Sequence, residues 1–174
     1  MLMRMLETGG MPVWTDSIRT ADEDNPKGYF ELEKIKTLDK TRDKAWVAEA
    51  RGKVIKVISF LLKDLPPQNF YKVIFVQRQL DEVLASQNKM LVHRGESGDA
   101  ISDEKMKQNY EAHLRKVDYF LKHEKNFEVL YVEHRQVVQA PMEQANRINA
   151  FLGNRLNAEA MAGAVDASLY RNRR

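Results

Sequence analysis

The chain has 174 residues, enough for a single domain with a real core, and its 43% hydrophobic and 30% charged residues are ordinary for a globular protein. The absence of cysteine excludes disulfides, thiolate zinc sites and cysteine nucleophiles; no apolar run approaches the length of a membrane span, and the start carries no signal-peptide pattern, so a cytoplasmic protein is expected. A net charge of +3, dispersed except at the C-terminal Tyr-Arg-Asn-Arg-Arg, points weakly to anionic ligands and makes no case for nucleic acid.

Met1, Leu2, Met5 and Leu6 have helical spacing and Gly9-Gly10 is a good stop, yet nothing caps the start, so the helix reads as one entered part-way. Residues 11–29 shift to Pro, Asp, Thr, Asn and Gly and read as a long loop ending in the turn Asn25-Pro26-Lys27-Gly28. Asp16, Asp22, Glu23 and Asp24 in that loop read either as solvated acids or as the lining of a cleft. Phe30, Ile35 and Leu38 suggest a helix with a narrow apolar side, and a second short helix is expected from Trp46 to Ala50.

Lys53 to Ser59 is short, β-branched and predicted as a strand. Lys56 in its middle needs a partner, because burying an unpaired ammonium is costly. Leu65-Pro66-Pro67 ends that unit. Val73 to Val76 then form a continuous apolar run, expected as a strand buried on both faces. Leu80, Val83, Leu84, Gln87, Met90 and Leu91 recur at three- and four-residue spacing, which predicts a helix following at once.

Arg78 thus falls just past the carboxyl end of a buried strand, where open α/β sheets hold their ligands. A guanidinium fork fits two phosphate oxygens, and the hydroxyl of Ser86, two turns along the helix, adds a neutral donor. Asp81 and Glu82 offer the competing reading of Arg78 as a surface ion pair. Farther on, Ser102 is a plausible N-cap, and Met106, Tyr110, Leu114, Val117 and Leu121 predict a long amphipathic helix to about Lys122, with His113 and His123 at the edge of its face. Phe127 to Val132 is a third expected strand, with Glu133 and His134 at its carboxyl end; Pro141 opens the next helix and Gly153 closes it. A short helix after Asn157 and a basic tail over 165–174 complete the chain. Strands separated by helices argue one α/β domain over 1–174 with a parallel sheet and right-handed crossovers.

Arg78 with Ser86 across a strand-to-helix turn resembles the 3′-phosphate-binding segment of the sulfotransferases, and the stretch from Val129 through Pro141 to Phe151-Leu152-Gly153 resembles a second segment of that family, in the family's order. Asn25-Pro26-Lys27-Gly28-Tyr29-Phe30-Glu31 is similar to a segment of its bacterial members. The resemblance implies a three-layer, P-loop-nucleotide-hydrolase-like fold. It also implies transfer of a sulfuryl group from 3′-phosphoadenosine 5′-phosphosulfate (PAPS) to a hydroxyl or amine on a small-molecule or carbohydrate acceptor, with adenosine 3′,5′-bisphosphate (PAP) as product and no metal.

Arg78 and Ser86 would hold the 3′-phosphate. Lys56 matches the family's lysine on the sulfuryl group, while Val57 and Ile58 replace the residues that follow it, including the histidine base of one branch. For a base the resemblance leaves Glu31, Asp16, Asp22 and Glu23, and for a second phosphate contact Arg171 or Arg173. The family's first strand and 5′-phosphosulfate loop precede the helix that Met1 enters; their absence here reads as an N-terminal truncation or a late start. That strand is central to the family's sheet, so its neighbours would either close up or leave backbone groups unpaired. Rival readings are a non-catalytic nucleotide-binding module of the same fold and a small-molecule kinase. Neither the acceptor nor the oligomeric state has a readable code.

Overall fold

In a computed structural model of the chain, residues 1–16, 18–19, 28–93 and 102–167 are described, with the backbone alone for 87–93 and 103. Helix α1 (Leu2–Thr8) buries Met5 and Leu6 completely and ends at Gly9-Gly10, where Gly10 takes a left-handed φ of 97°. The chain then passes Val13, which makes one parallel bridge to Val54. Helix α2 (Glu33–Lys36) is a single turn, and its first amide is held from outside: the Glu33 N–H donates to Asp16 Oδ2 at 2.6 Å. Two 3-10 helices follow, Ala45–Ala50 and Ser59–Asp64.

Strand β1 (Tyr71–Gln77) and strand β2 (Phe127–Glu133) pair in parallel over seven residues, from Tyr71 opposite Phe127 to Gln77 opposite Glu133. Parallel strands need a long crossover. Helices α3 (Leu80–His93) and α4 (Asp103–His123) provide it, and Ser102 caps α4 by accepting from the Lys105 N–H at 3.3 Å. β2 runs directly into α5 (His134–Gln139), followed by α6 (Pro141–Phe151), with Pro141 in its first turn, and α7 (Ala158–Gly163), which Asn157 caps through the Ala160 N–H.

Two apolar clusters hold these elements. The first joins Leu32, Ile35 and Leu38 to Trp46, Val47, Leu61, Leu62 and Leu65, and to Val117 and Leu121 of α4. In the second, Met5 and Leu6 of α1 meet Val132, Val137, Ala145, Ile148 and Met161. Gly9 has no room for a side chain, since an added Cβ would lie 2.5 Å from Met161 Cγ, and its carbonyl accepts from the Asn157 N–H at 2.9 Å.

Lys53 to Ser59 does not form the strand expected of it. Only Val54 is bridged, the following residues stay outside any ladder, and a 3-10 helix begins at Ser59. The Lys56 ammonium reaches back to Glu31 and to the Tyr29 carbonyl, which ties the segment's side chain to the 28–31 loop. The sheet among the described residues therefore has two strands, and the architecture is a mixed helix and strand fold with a small open parallel sheet. The helix expected around Phe30 to Leu38 shrinks to one turn, because Leu32, Ile35 and Leu38 recur every three residues and are buried by consecutive tight turns. The Trp46 to Ala50 segment is a 3-10 helix for a similar reason, with Trp46 and Val47 turned into the first cluster.

Candidate functional site

A cavity of about 1230 Å³ opens between the two clusters. Lys56 and Arg78, the two cations singled out by the sequence, both line it. Ser86 does not. It lies half-buried on α3, about 9 Å along the axis from the start of that helix.

Arg78 follows β1 directly, so the strand run that the sequence made evident fixes its place at the carboxyl edge of the sheet. Its side chain is 28% exposed and its Nη2 donates to Glu82 Oε2 at 3.4 Å, an ion pair between the strand end and the first turn of α3. Its Nε, by contrast, is buried with no hydrogen-bond partner. Asp81 pairs elsewhere, with Lys107 of α4 at 3.0 Å. A guanidinium committed at one long contact retains donors for an anion arriving from the cavity.

His134 shares this corner, at the carboxyl end of β2 and on the cavity wall. Burial, helped by the Arg78 charge, pushes its imidazolium down to a pKa of about 4, so the ring is neutral at pH 7.

Lys56 is differently placed. Its ammonium contacts Glu31 Oε1 at 3.1 Å and the Tyr29 carbonyl at 3.2 Å. Glu31 also pairs with Lys36 at 3.0 Å and faces Arg19 at 3.6 Å. Burial pushes the Glu31 carboxyl up, but the hydrogen bonds from Lys36 and Lys56 outweigh it and leave the group below the usual carboxylate range. Asp16 is likewise held low, by the backbone N–H groups of Glu33 and Ile18. Both acids are thus anchors of local structure and weak proton acceptors, which argues against the base role that the resemblance offered them. Asp22, Glu23, Arg171 and Arg173 lie outside the described residues. Next to Tyr29, Phe30 adopts a left-handed φ of 52°, uncommon for an aromatic residue, and lines the cavity.

A third feature of the wall went unread in the sequence. Ser59 Oγ and His113 Nε2 are hydrogen-bonded at 2.8 Å, with the Phe60 ring stacked on the imidazole at 3.6 Å. Burial, with the Lys116 charge, lowers the His113 pKa and keeps the ring neutral. Expected as a face-edge residue of α4, His113 in fact joins that helix to the 3-10 helix and borders the cavity. The two residues are 54 apart in sequence, so no local spacing could have announced the pair.

Among the described residues no group of three His, Asp or Glu side chains is placed to hold a metal ion, and no helix is long and apolar enough to cross a membrane. No family model, curated protein or solved structure matches the chain.

Proposed function

We propose that the chain is a sulfotransferase-like protein whose cavity binds a 3′-phosphorylated adenine nucleotide, and that the full reaction transfers a sulfuryl group from PAPS to a hydroxyl or amine acceptor. The observation that carries this reading is Arg78, at the carboxyl edge of two parallel strands, bordering a large cavity, with a buried Nε that has no partner. That is a donor set a dianionic phosphate satisfies. In this reading Arg78 holds the 3′-phosphate and Ser86 adds a hydroxyl donor once α3 and the nucleotide are engaged. Neutral His134 stands beside the phosphate site without adding charge. PAPS, when bound, supplies the sulfuryl group.

A second reading, a nucleotide-binding module without transfer, is favoured by Lys56. Its ammonium is already held by Glu31 and the Tyr29 carbonyl, so it would have to leave both to stabilise charge on a transferring group.

Calorimetric titration of PAP tests both. Saturable binding that Arg78→Ala weakens by about tenfold or more is expected, the effect of losing one charge-assisted pair of roughly 1.5–3 kcal/mol. No heat from a folded chain, or binding indifferent to Arg78→Ala, would remove the donor site. Binding without transfer of labelled sulfate from PAPS to a panel of phenols and amines would favour the module.

A further inference from the structure

Ser59 and His113 bring a hydroxyl and an unprotonated base together, and the donor reading uses neither. Ser59 opens the second 3-10 helix and His113 lies midway along α4, so the two side chains leave separate elements and meet at 2.8 Å, within hydrogen-bond range. Both residues are half-buried and both border the cavity, which leaves the pair open to a molecule on that side. The Phe60 ring lies over the imidazole with centroids 3.6 Å apart and planes within 9° of parallel, and so fixes the plane of the base.

In a neutral imidazole one nitrogen carries the proton and the other accepts. Burial and the Lys116 charge favour that form, so Nε2 takes the Ser59 hydroxyl proton when Nδ1 holds the ring's own. A hydroxyl already bonded to a base is an activated nucleophile. The Ser59 and Phe60 N–H groups make no backbone hydrogen bond, which leaves two donors beside the hydroxyl for charge developing on a substrate oxygen. Leu62, one turn beyond Ser59, and Leu114, next to His113 on α4, line the same cavity, so what approaches the pair meets apolar surface. No carboxylate lines it, and the imidazole is oriented by stacking instead of by an acid.

We infer that Ser59 and His113 form a nucleophilic dyad that cleaves carboxylic esters with an apolar acyl group, an activity separate from sulfuryl transfer and independent of the nucleotide. Ser59 Oγ attacks the carbonyl carbon as its proton passes to His113 Nε2. The bond from that carbon to the ester oxygen breaks, and the alcohol leaves with the proton from His113. Water then attacks the acyl ester on Ser59 and gives a proton to His113; the carboxylic acid departs as Oγ recovers that proton. The sum is ester and water to acid and alcohol. With no acid behind the imidazole, turnover is slow, and covalent labelling is the primary readout.

The test exposes the full chain to an alkyl fluorophosphonate, which bonds its phosphorus to an activated serine oxygen as fluoride leaves. Intact mass should show a single adduct and peptide mapping should place it on Ser59. His113→Gln should slow labelling by about a hundredfold, the size of a general-base contribution. The chain should also hydrolyse p-nitrophenyl butyrate, and prior labelling should abolish that hydrolysis. Unfolding the unaltered chain in urea disperses the pair without a substitution, and labelling should then fall to background. Absence of an adduct on a chain that circular dichroism shows to be folded overturns the proposal, as does an adduct at another residue. So does labelling of Ser59 that persists at the same rate in urea or in folded His113→Gln, or ester hydrolysis that survives the label.

Discussion

The two apolar clusters are built differently. The second is made mostly of helix faces closed by Val132 of β2: Met5, Leu6, Ile148, Met161, Val132 and Val137 are all nearly or fully inaccessible, and α1 and α7 meet closely at Gly9. Most of the first cluster, outside α4, comes from one-turn and 3-10 segments, and apart from Leu38 its members keep a trace of exposure. What holds those irregular pieces is polar: Asp16 on the first amide of α2, Glu31 gathering Lys36 and Lys56, and Ser59 tied to His113. The lesson is that the well-packed cluster positions the carboxyl edge of the sheet rigidly, while the side of the cavity that carries Lys56 depends on a few ionic and hydrogen-bonded ties.

Truncation in each core would sharpen that contrast. Ile148→Ala, at a fully buried site, is expected to cost about 2–5 kcal/mol in urea unfolding, and Leu62→Ala to fall near the lower end of that range, because its neighbours border open space and can relax. Glu31→Gln attacks the polar ties instead. It should cost about 1–3 kcal/mol by leaving Lys56 and Lys36 without their shared partner, and exchange of amides around residues 53–57 should rise while those of α6 do not. An equal rise in both regions would break the contrast.

The pH dependence of stability reads out the rigid corner. His134 has a folded pKa of about 4, below its unfolded value of 6.5, so its contribution is complete above pH 6.5 and is lost as the pH falls from 6.5 toward 4, where the unfolded chain binds the extra proton. The loss should be about 1–2 kcal/mol once screening of this partly exposed ring is allowed for, and His134→Gln should flatten the slope. His113, shifted the same way, contributes to the upper part of the window, whereas Asp16 and Glu31 lose their contributions only below the unfolded carboxylate range. The smallest effect belongs to the exposed pair of Lys122 with Asp118 at 2.7 Å: Lys122→Ala should leave the urea midpoint essentially unchanged in the same unfolding assay.

Legibility in the sequence follows the same division. β1, β2, α4 and α6 could be read because apolar runs and caps, Ser102, Pro141 and Gly153, are local signals, and Arg78 could be placed because its position follows from where β1 ends. Its competing pairing with a nearby carboxylate was visible in Asp81 and Glu82, which follow it within four residues. Lys53 to Ser59 misled because β-branched composition marks a segment able to pair, while a strand also needs an edge to pair with. The partner of Lys56 and the tie between Ser59 and His113 were hidden because each joins residues far apart in the chain, 25 and 54 positions in turn.

The docking of α1 against α7 bears on how the protein is made. Met5 and Leu6 reach full burial against Met161, and Gly9 accepts from Asn157, so the first helix is finished by nearly the last. At roughly 5–20 residues per second of synthesis, Met5 and Leu6 wait on the order of ten seconds or more for Met161, the residue that completes their burial.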